Sequence, residues 1–433
     1  MRRQHWTTGL VLALVTGVTA ATASTVGPAS AADPDRPRTV SGWFGNWHTP
    51  TQMADIAKRS GRVLGEVNIF HWNYRGPANP VCTIELACPS PAATPWTTTE
   101  MTAATKALQS QGVDVYATHT DLNADLSGSL AHYLGKKKNR TFIAKRLTDW
   151  AVRAGVDGVD LDWENFAFND GSSSWGTTRP RLTDTIRILS GLLHDKGLKL
   201  SITVPGGYQP FRADGSPNPG GGYSVYDWAA LAPLVDRLRL MTYDYSWDRP
   251  GPIGPHWWAK QSVKSAVAQV GEENRRKIYV GLHQYGKAWY VRDADDDYVT
   301  EGDCPDSWVP GGPDRLSMTP AEARSLAADY GVTPTLDRKS RERTFTYVKT
   351  EGGRFTNAKG KSRSRECQVR KQVWFGSADT AVGRMSMVRK LRIGGVAVWH
   401  LAMLDDGFFS AVQPYVRDKK AAGKNRASGA TVR

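Results

Sequence analysis

From residue 38 onward, short apolar runs alternate with stretches whose apolar residues recur every three or four positions. The runs Val40–Trp47, Gly65–Trp72, Asp114–His119, Gly158–Trp163, Lys199–Val204, Arg237–Tyr243, Lys277–Leu282 and Gly395–Trp399 have the length and composition of buried strands. Between them, segments such as TPTQMADIAKRSG, TTEMTAATKALQSQG, RTFIAKRLTDWAVRAG and RPRLTDTIRILSGLLHDKG read as amphipathic helices. Several open near Thr and close on Gly, which is helix-capping chemistry. Eight strands with intervening helices predict the α/β class, as a parallel (β/α)8 TIM barrel. The eighth run lies far from the seventh. Residues 290–378 intervene, with a helix TPAEARSLAADYG and β-type runs RTFTYVKT and QVRKQVWFG, and predict a small α+β insertion between strands 7 and 8. The barrel is thus expected over residues 33–417. The basic tail 418–433 has no apolar periodicity and is expected to be disordered.

The N-terminus changes the picture of where the chain works. Arg2 and Arg3 precede an apolar run, Thr8 to Ala23, and Ala29-Ser30-Ala31 offers a small-residue cleavage pattern. Residues 1–32 therefore read as a signal peptide, and a secreted, extracellular chain is expected. The run is too short and too rich in Thr and Gly for a membrane span, and no later stretch reaches membrane length. Loss of this segment removes Arg2 and Arg3 and lowers the net charge of +14 by two. The remaining excess, with basic runs at Lys136–Lys138, Arg338–Arg343, Lys359–Arg365 and from Lys419, favours anionic surroundings such as cell-wall polymers. No nucleic-acid-binding motif accompanies it, so no nucleic acid is expected as a partner. The four cysteines, Cys82, Cys88, Cys304 and Cys367, suggest disulfides in an exported chain, and three pairings are open. Cys82–Cys88 would close a small loop, and Cys304–Cys367 would then staple the insertion. The spacings match no zinc pattern; no metal and no cofactor is expected. Nothing indicates an oligomer, so a monomer is expected.

The chemistry lies in Asp157 to Phe166, DGVDLDWENF, which carries acids at the spacing D-x-x-D-x-D-x-E inside an apolar strand. Side chains alternate along a strand, so Asp160, Asp162 and Glu164 share one face and Asp157 takes the other. Acids stacked on one face repel one another and lose solvation, which pushes them towards the protonated form. With no basic partner expected beside them, Glu164, nearest the barrel mouth, suits the role of general acid. Other strand ends add a second polar and aromatic set. Met241, Tyr243 and Asp244 stand in LRLMTYDYSW, Gln284 and Tyr285 in YVGLHQYGKAW, Trp399 in GGVAVWHLAMLDD, and Trp43 on the first strand. The chain has 16 tryptophans, and most of them are expected to pack in the core; those at strand ends around the acids make a plausible sugar-stacking surface.

DGVDLDWE resembles the signature of glycoside hydrolase family 18, the chitinase-like barrels. MTYDY, GLHQYGKAW and GGVAVW extend the resemblance over roughly residues 38–416. It implies a retaining hydrolase cleaving β-1,4 bonds at N-acetylglucosamine in chitin, chitooligosaccharides or peptidoglycan, so the partner is an N-acetylglucosamine-containing polysaccharide. It further implies that Glu164 donates the proton, Asp162 orients the acetamido group, Asp160 supports Asp162, and Tyr243 hydrogen-bonds the acetamido carbonyl. Trp399 becomes the floor of the subsite and Asp244 a hydroxyl ligand. The sugar's own acetamido oxygen is the nucleophile, an exception to the two-carboxylate scheme. The chain departs from the chitinase pattern at Thr118, His119 and Asp121, at Asn165-Phe166, and at His283-Gln284. WENF and the run from Lys371 to Trp399 look more like the bacterial wall- and spore-lytic branch. A catalytically silent, lectin-like barrel is the alternative. The intact Asp160, Asp162, Glu164 and Tyr243 weigh against it.

Overall fold

The computed structural model describes residues 38–76, 80–81, 96–121 and 129–416. The expected signal peptide, the cysteines Cys82 and Cys88, and the tail from residue 418 lie outside them. Eight strands close a parallel barrel: β1 (Thr39–Gly45), β2 (Leu64–Asn73), β3 (Asp114–Thr120), β4 (Gly158–Asp162), β5 (Lys199–Pro205), β6 (Arg237–Met241), β7 (Ile278–His283) and the last strand, Gly395–Trp399. Each strand matches one of the apolar runs read from the sequence. The ends differ by a few residues, most importantly at β4, which stops at Asp162.

Helices cover the outside. They are α1 (Pro50–Ser60), α2 (Thr98–Gln109), α3 (Ser129–Tyr133), α4 (Lys137–Ala154), the short α5 (Asn165–Phe168), α6 (Trp175–His194), α7 (Trp228–Leu231) and α8 (His256–Val270). Thr49 and Thr97 form capping boxes with Gln52 and Glu100. Gly61 and Gly155 end α1 and α4 at φ of 54° and 69°, a left-handed backbone that costs glycine little. Outward residues of the strands, such as Val159, Leu161, Ile202 and Leu238, pack against helix residues including Leu147, Leu182, Ile186 and Val263 in the main apolar core.

The barrel lumen is polar. Ser41, Asn68, Thr118, Asp160, Ser201 and Arg239 are all fully buried there, with Glu66 nearly so. Arg239 is the hub. One guanidinium nitrogen donates to Asp160 at 2.9 Å and the other to Glu66 at 2.9 Å and Ser41 at 3.2 Å. The rings of Tyr116, Tyr279 and Trp43 surround its guanidinium at 5.1, 5.7 and 6.0 Å. Asp160 therefore does have a basic partner, contrary to the expectation of an unpaired stack of acids. The sequence hid this because the partner sits two strands away in RLRLM.

After β7 the chain leaves the barrel for a second, antiparallel sheet. It comprises β8 (Gly286–Tyr290), β9 (Thr300–Glu301), β10 (Val309–Pro310), β11 (Arg315–Met318), β12 (Thr335–Asp337), β13 (Glu342–Thr356) and β14 (Ser362–Phe375). The central order is β10-β13-β14-β8-β11, backed by α9 (Pro320–Asp329). This is the expected α+β insertion, beginning at Gly286. Cys304 and Cys367 are bonded within it. Glu342 fastens it to the barrel by accepting the backbone N–H groups of Ile253 and Gly254 at 2.7 and 2.9 Å. The chain then returns through α10 (Ala378–Lys390) to the last barrel strand, β15, and ends its described part in α11 (Phe408–Val416). Among the described residues no helix is long and apolar enough to cross a membrane.

Removing Arg239 leaves Asp160 buried without its cation, while Glu66 keeps Arg237 at 2.6 Å. Arg239→Met should lower the unfolding free energy by about 3–5 kcal/mol in urea titrations. Arg187→Ala, which breaks an exposed pair with Asp184, should change it by under about 1 kcal/mol.

Candidate active site

The acid segment begins in the barrel wall and turns at its mouth. Asp157 is half-buried on the outer side, where it accepts Val115 N–H at 2.7 Å and Gln109 at 3.0 Å. Asp160 lies deep in the lumen. Besides Arg239 it receives hydrogen bonds from Trp43 Nε1, Thr118, Ser201 and Thr203 at 3.0, 3.2, 2.6 and 3.3 Å. Asp162 stands one pleat nearer the mouth. Its Oδ1 is buried without a hydrogen-bond partner, and the residue lines the cleft.

Beyond Asp162 the strand is broken by design of its neighbours. Trp163 is fully buried; its indole N–H donates to His119 Nδ1 at 2.8 Å and its carbonyl accepts the Tyr226 hydroxyl. His119 in turn bonds the Pro80 carbonyl at 2.9 Å, and burial pulls its pKa down to about 4. It is a neutral core tether, donating from Nε2 and accepting at Nδ1. Glu164 then adopts a helical backbone at the N-cap of α5, held because Asp121 Oδ1 accepts the N–H of Glu164 at 2.7 Å and of Asn165 at 3.2 Å. Glu164 is thus a turn residue and not the last residue of the strand, and it still faces the cleft.

The cleft is about 690 Å³. Asp162, Glu164, Tyr243, Asp244, Met241, Trp43 and Trp399 all line it, so the fold gathers most of the predicted set at one mouth. Trp43 and Trp399 sit 6.2 Å apart between ring centroids and form one wall. Asp244 has a left-handed backbone with φ of 59°. Its Oδ1 accepts the Tyr285 hydroxyl at 2.6 Å and pairs with Lys287.

Two predicted substrate contacts are placed elsewhere. Gln284 is fully buried; its amide N–H donates to the His283 and Ser377 carbonyls and its oxygen accepts from the Asp405 N–H. It ties the insertion's exit to its entry. Tyr285 is buried behind the cleft and acts on the site by holding Asp244. Both stand just past the end of β7, where the chain swings into the insertion, so the strand-end rule does not apply to them.

The sequence assigns no role to Asp121, named there only as a departure from the chitinase pattern, nor to Lys287 or the cleft walls Phe168, Tyr223, Tyr245, Trp247 and Trp258. Asp121 directly follows β3, so its position at a strand's C-terminal end was the available signal. The walls come from loops with no periodicity to mark them.

Burial dominates the electrostatics. It pushes the Glu164 carboxyl up to about 7, and the Asp244 charge adds to the rise. Asp162 is also raised, by burial first and then by the charges of Glu164, Asp160 and Asp121. Burial raises Asp121 to about 8 in spite of the two amides it accepts. Tyr243 keeps its proton, held by burial and the carboxylates of Asp162 and Glu164. The site therefore offers a carboxylic acid able to donate a proton near neutrality, a second carboxyl beside it, and a phenol donor, against an aromatic wall.

A (β/α)8 barrel with this group at its mouth has the features of a glycoside hydrolase. The family model for glycosyl hydrolases family 18 matches residues 122–403, and the chain belongs to that family. It is 22% identical over 302 residues to the uncharacterized glycosylase YvbX of Bacillus subtilis (strain 168), covering 69% of this chain and 73% of that one. It is 20% identical over 263 residues to the cortical fragment-lytic enzyme of the same organism, covering 60% of this chain and 50% of that relative. Among solved structures, a chitinase from Chromobacterium violaceum ATCC 12472 aligns over 88% of this chain and 100% of its own, with a TM-score of 0.64 and 22% identity. The spore cortex-lytic enzyme SleL of Bacillus megaterium QM B1551 aligns over 89% of this chain and 75% of its own, with a TM-score of 0.65 and 15% identity.

The raised Glu164 pKa carries a stability signature. Below 4.5, its ordinary value, folded and unfolded chains both hold the proton. Between 4.5 and about 7, folding must take up a proton that the unfolded chain has shed, so the wild type progressively loses stability that a neutral isostere keeps, and the loss is complete above about 7. Glu164→Gln should melt at a higher temperature than wild type at pH 8, with the gap closing towards pH 4. A constant gap across that range would contradict the assigned environment.

Proposed function

We propose that this hydrolase is exported by its N-terminal segment and cleaves β-1,4 bonds at N-acetylglucosamine with retention of anomeric configuration. The observation that carries the reading is the partnerless buried Oδ1 of Asp162 beside Glu164, both facing the cleft with Tyr243. In this reading the substrate's acetamido group fits against Asp162 and Tyr243, while Trp399 floors the sugar ring. Glu164 donates its proton to the glycosidic oxygen as the acetamido oxygen attacks the anomeric carbon. The carbon–oxygen bond breaks, and the departing sugar leaves with a hydroxyl. Glu164, now a carboxylate, takes a proton from water whose oxygen attacks the same carbon and reopens the oxazolinium ring. Asp162 orients the acetamido N–H and offsets the ring's positive charge. Asp160, locked by its five donors, holds the strand in place beneath it. Asp244 meets a sugar hydroxyl.

The relatives named for chitin and for spore cortex support a reading in which the substrate is a chitin-type oligomer or peptidoglycan. The chain's basic surface, with a net charge of +14 over the whole sequence, supports work among anionic wall polymers.

Glu164→Gln should reduce kcat on a chromogenic chitobioside by about 10²–10⁴-fold while oligosaccharide binding persists in calorimetry, because proton transfer alone is lost. Substantial residual turnover would move the acid elsewhere, and no release by the wild type would favour a binding-only barrel. Proton NMR of early product should show the β anomer. A thiazoline analogue of N-acetylglucosamine should compete with substrate, and Asp162→Asn should weaken both its binding and turnover. Failure of the thiazoline to compete would count against the acetamido nucleophile.

A further inference from the structure

The two longest strands of the insertion outrun the strands that pair with them. β13 and β14 form a hairpin whose register runs from Arg343 opposite Phe375 to Thr356 opposite Ser362. β8 accompanies it from Phe375 to Lys371, β9 at Val369 and Gln368, and β10 at Gly353 and Arg354. From Trp374, which pairs with Lys287, twelve residues lead along β14 to Ser362, about 40 Å of strand at ~3.4 Å per residue. The tip therefore stands well away from the cleft.

The tip carries charge of one sign. Arg354 to Arg365 reads RFTNAKGKSRSR, with five cations and no acid, and all five are exposed. Acids begin at Glu366 on β14, and at Asp303 and Asp306 on the segment before β10. Asp303 pairs with Arg365 at 3.2 Å, but it is fully exposed and exchanges easily with another anion. Among the described residues, Arg354, Lys359, Lys361 and Arg363 have no ion pair. Arg363 and Arg365 share one face of the strand, about 6.8 Å apart. Like charges this close repel, and a free hairpin would relieve the repulsion by fraying.

Instead the tip is braced. The segment before β10 crosses both limbs just below it. Cys304 is bonded to Cys367, and the Trp308 indole N–H donates to the Arg365 carbonyl at 3.0 Å. The Ser307 hydroxyl donates to the Thr356 carbonyl and accepts the Thr356 N–H, both at 3.2 Å. In the turn itself, Asn357 Oδ1 accepts the N–H groups of Lys359 and Lys361 at 3.0 Å, and Gly360 takes the left-handed backbone at φ of 70°. The fold thus holds a row of cations in place although their side chains support nothing in the protein.

We propose that this hairpin tip docks the enzyme on a phosphodiester polyanion of the cell wall, a polyol-phosphate chain. The inference rests on export to the wall, which belongs to the reading above. Guanidinium forks and ammonium groups in a row suit phosphates repeated along a flexible chain, and a braced row loses little entropy on binding. The tip lacks what other polyanionic partners use. Phe355 is turned onto the cluster of Tyr290 and Trp308, so no exposed ring is left to stack on bases. From Thr356 to Arg365 the one apolar side chain is Ala358, too small to enter a bilayer. Docking here leaves the cleft free and concentrates the enzyme beside wall glycan.

The test is co-sedimentation of the whole exported chain with purified Gram-positive cell walls at low salt. Lys359→Ser/Lys361→Ser/Arg363→Ser should bind at least tenfold more weakly than wild type, with an unchanged melting temperature. Its slope of log K against log salt should be shallower by about two, at roughly 0.7 per phosphate contact on a single flexible chain. Lys136→Ser/Lys137→Ser/Lys138→Ser removes the same charge from another exposed run and should change binding less than twofold. Walls stripped of phosphodiester polymers by hydrofluoric acid should hold wild type and hairpin variant equally weakly. An equal loss in both triple variants would make net charge the cause and overturn the site, as would wild-type binding that survives stripping. Tighter hairpin-dependent binding to phosphatidylglycerol vesicles or duplex DNA than to soluble poly(glycerol phosphate), at equal phosphate concentration, would overturn the assigned partner. Binding is read without turnover. A chain that docks but releases no aryl group from a chitobioside refutes the hydrolytic reading alone, and an active chain that fails to dock refutes the surface alone.

Discussion

An arginine in the lumen of a closed barrel can keep its charge only if the barrel supplies matching acids, and this barrel is arranged around that demand. Arg239 reaches Asp160 on β4 and Glu66 on β2, and Tyr116, Tyr279 and Trp43 close round its plane. With Trp43 and Thr118 also donating to Asp160, strands β1, β2, β3, β4 and β6 are cross-linked at one level. The level above is different. Asp162 has a partnerless oxygen and Glu164 is raised by burial, so the fold neutralises the lower acid and leaves the upper two uncompensated. Coupling one satisfied layer to one unsatisfied layer turns a rigid floor into a place where protons can change hands.

The turn at Glu164 follows from the same logic. A strand that simply continued would project its next acid along the wall. Trp163, pinned by His119 and Tyr226, and Asp121, gripping the next two amides, bend the chain so that Glu164 overhangs the cleft. The charge-bearing residue is thereby set by neutral or proton-retaining neighbours. That arrangement avoids placing a permanent cation beside the acid, which would pull its pKa down.

The barrel was legible because apolar runs, caps and a period of strand and helix all repeat in the chain; every barrel strand left that trace. The acid motif was legible because four carboxylates in an apolar run are costly unless useful. Arg239 was not, because an arginine in RLRLM, two residues after another, looks like a surface residue until closure brings β2, β4 and β6 together. Gln284 and Tyr285 misled for the opposite reason: they follow a barrel strand in sequence but begin the approach to another sheet. The loop walls, Phe168, Tyr223 and Trp258, carry no pattern at all, since a wall is defined by what faces it and not by spacing.

Asp244 is gripped by Tyr285 and Lys287, and Lys287 lies on β8, the strand that opens the second sheet and pairs with β11 and β14. The insertion is therefore a structural member of the site and not an ornament hung from the barrel. Chimeras that exchange this segment between relatives would transplant the grip on Asp244 along with the wall. A grafted segment would need its first strand in the same register as β8, so the join that preserves function lies before Gln284, inside what the topology counts as barrel.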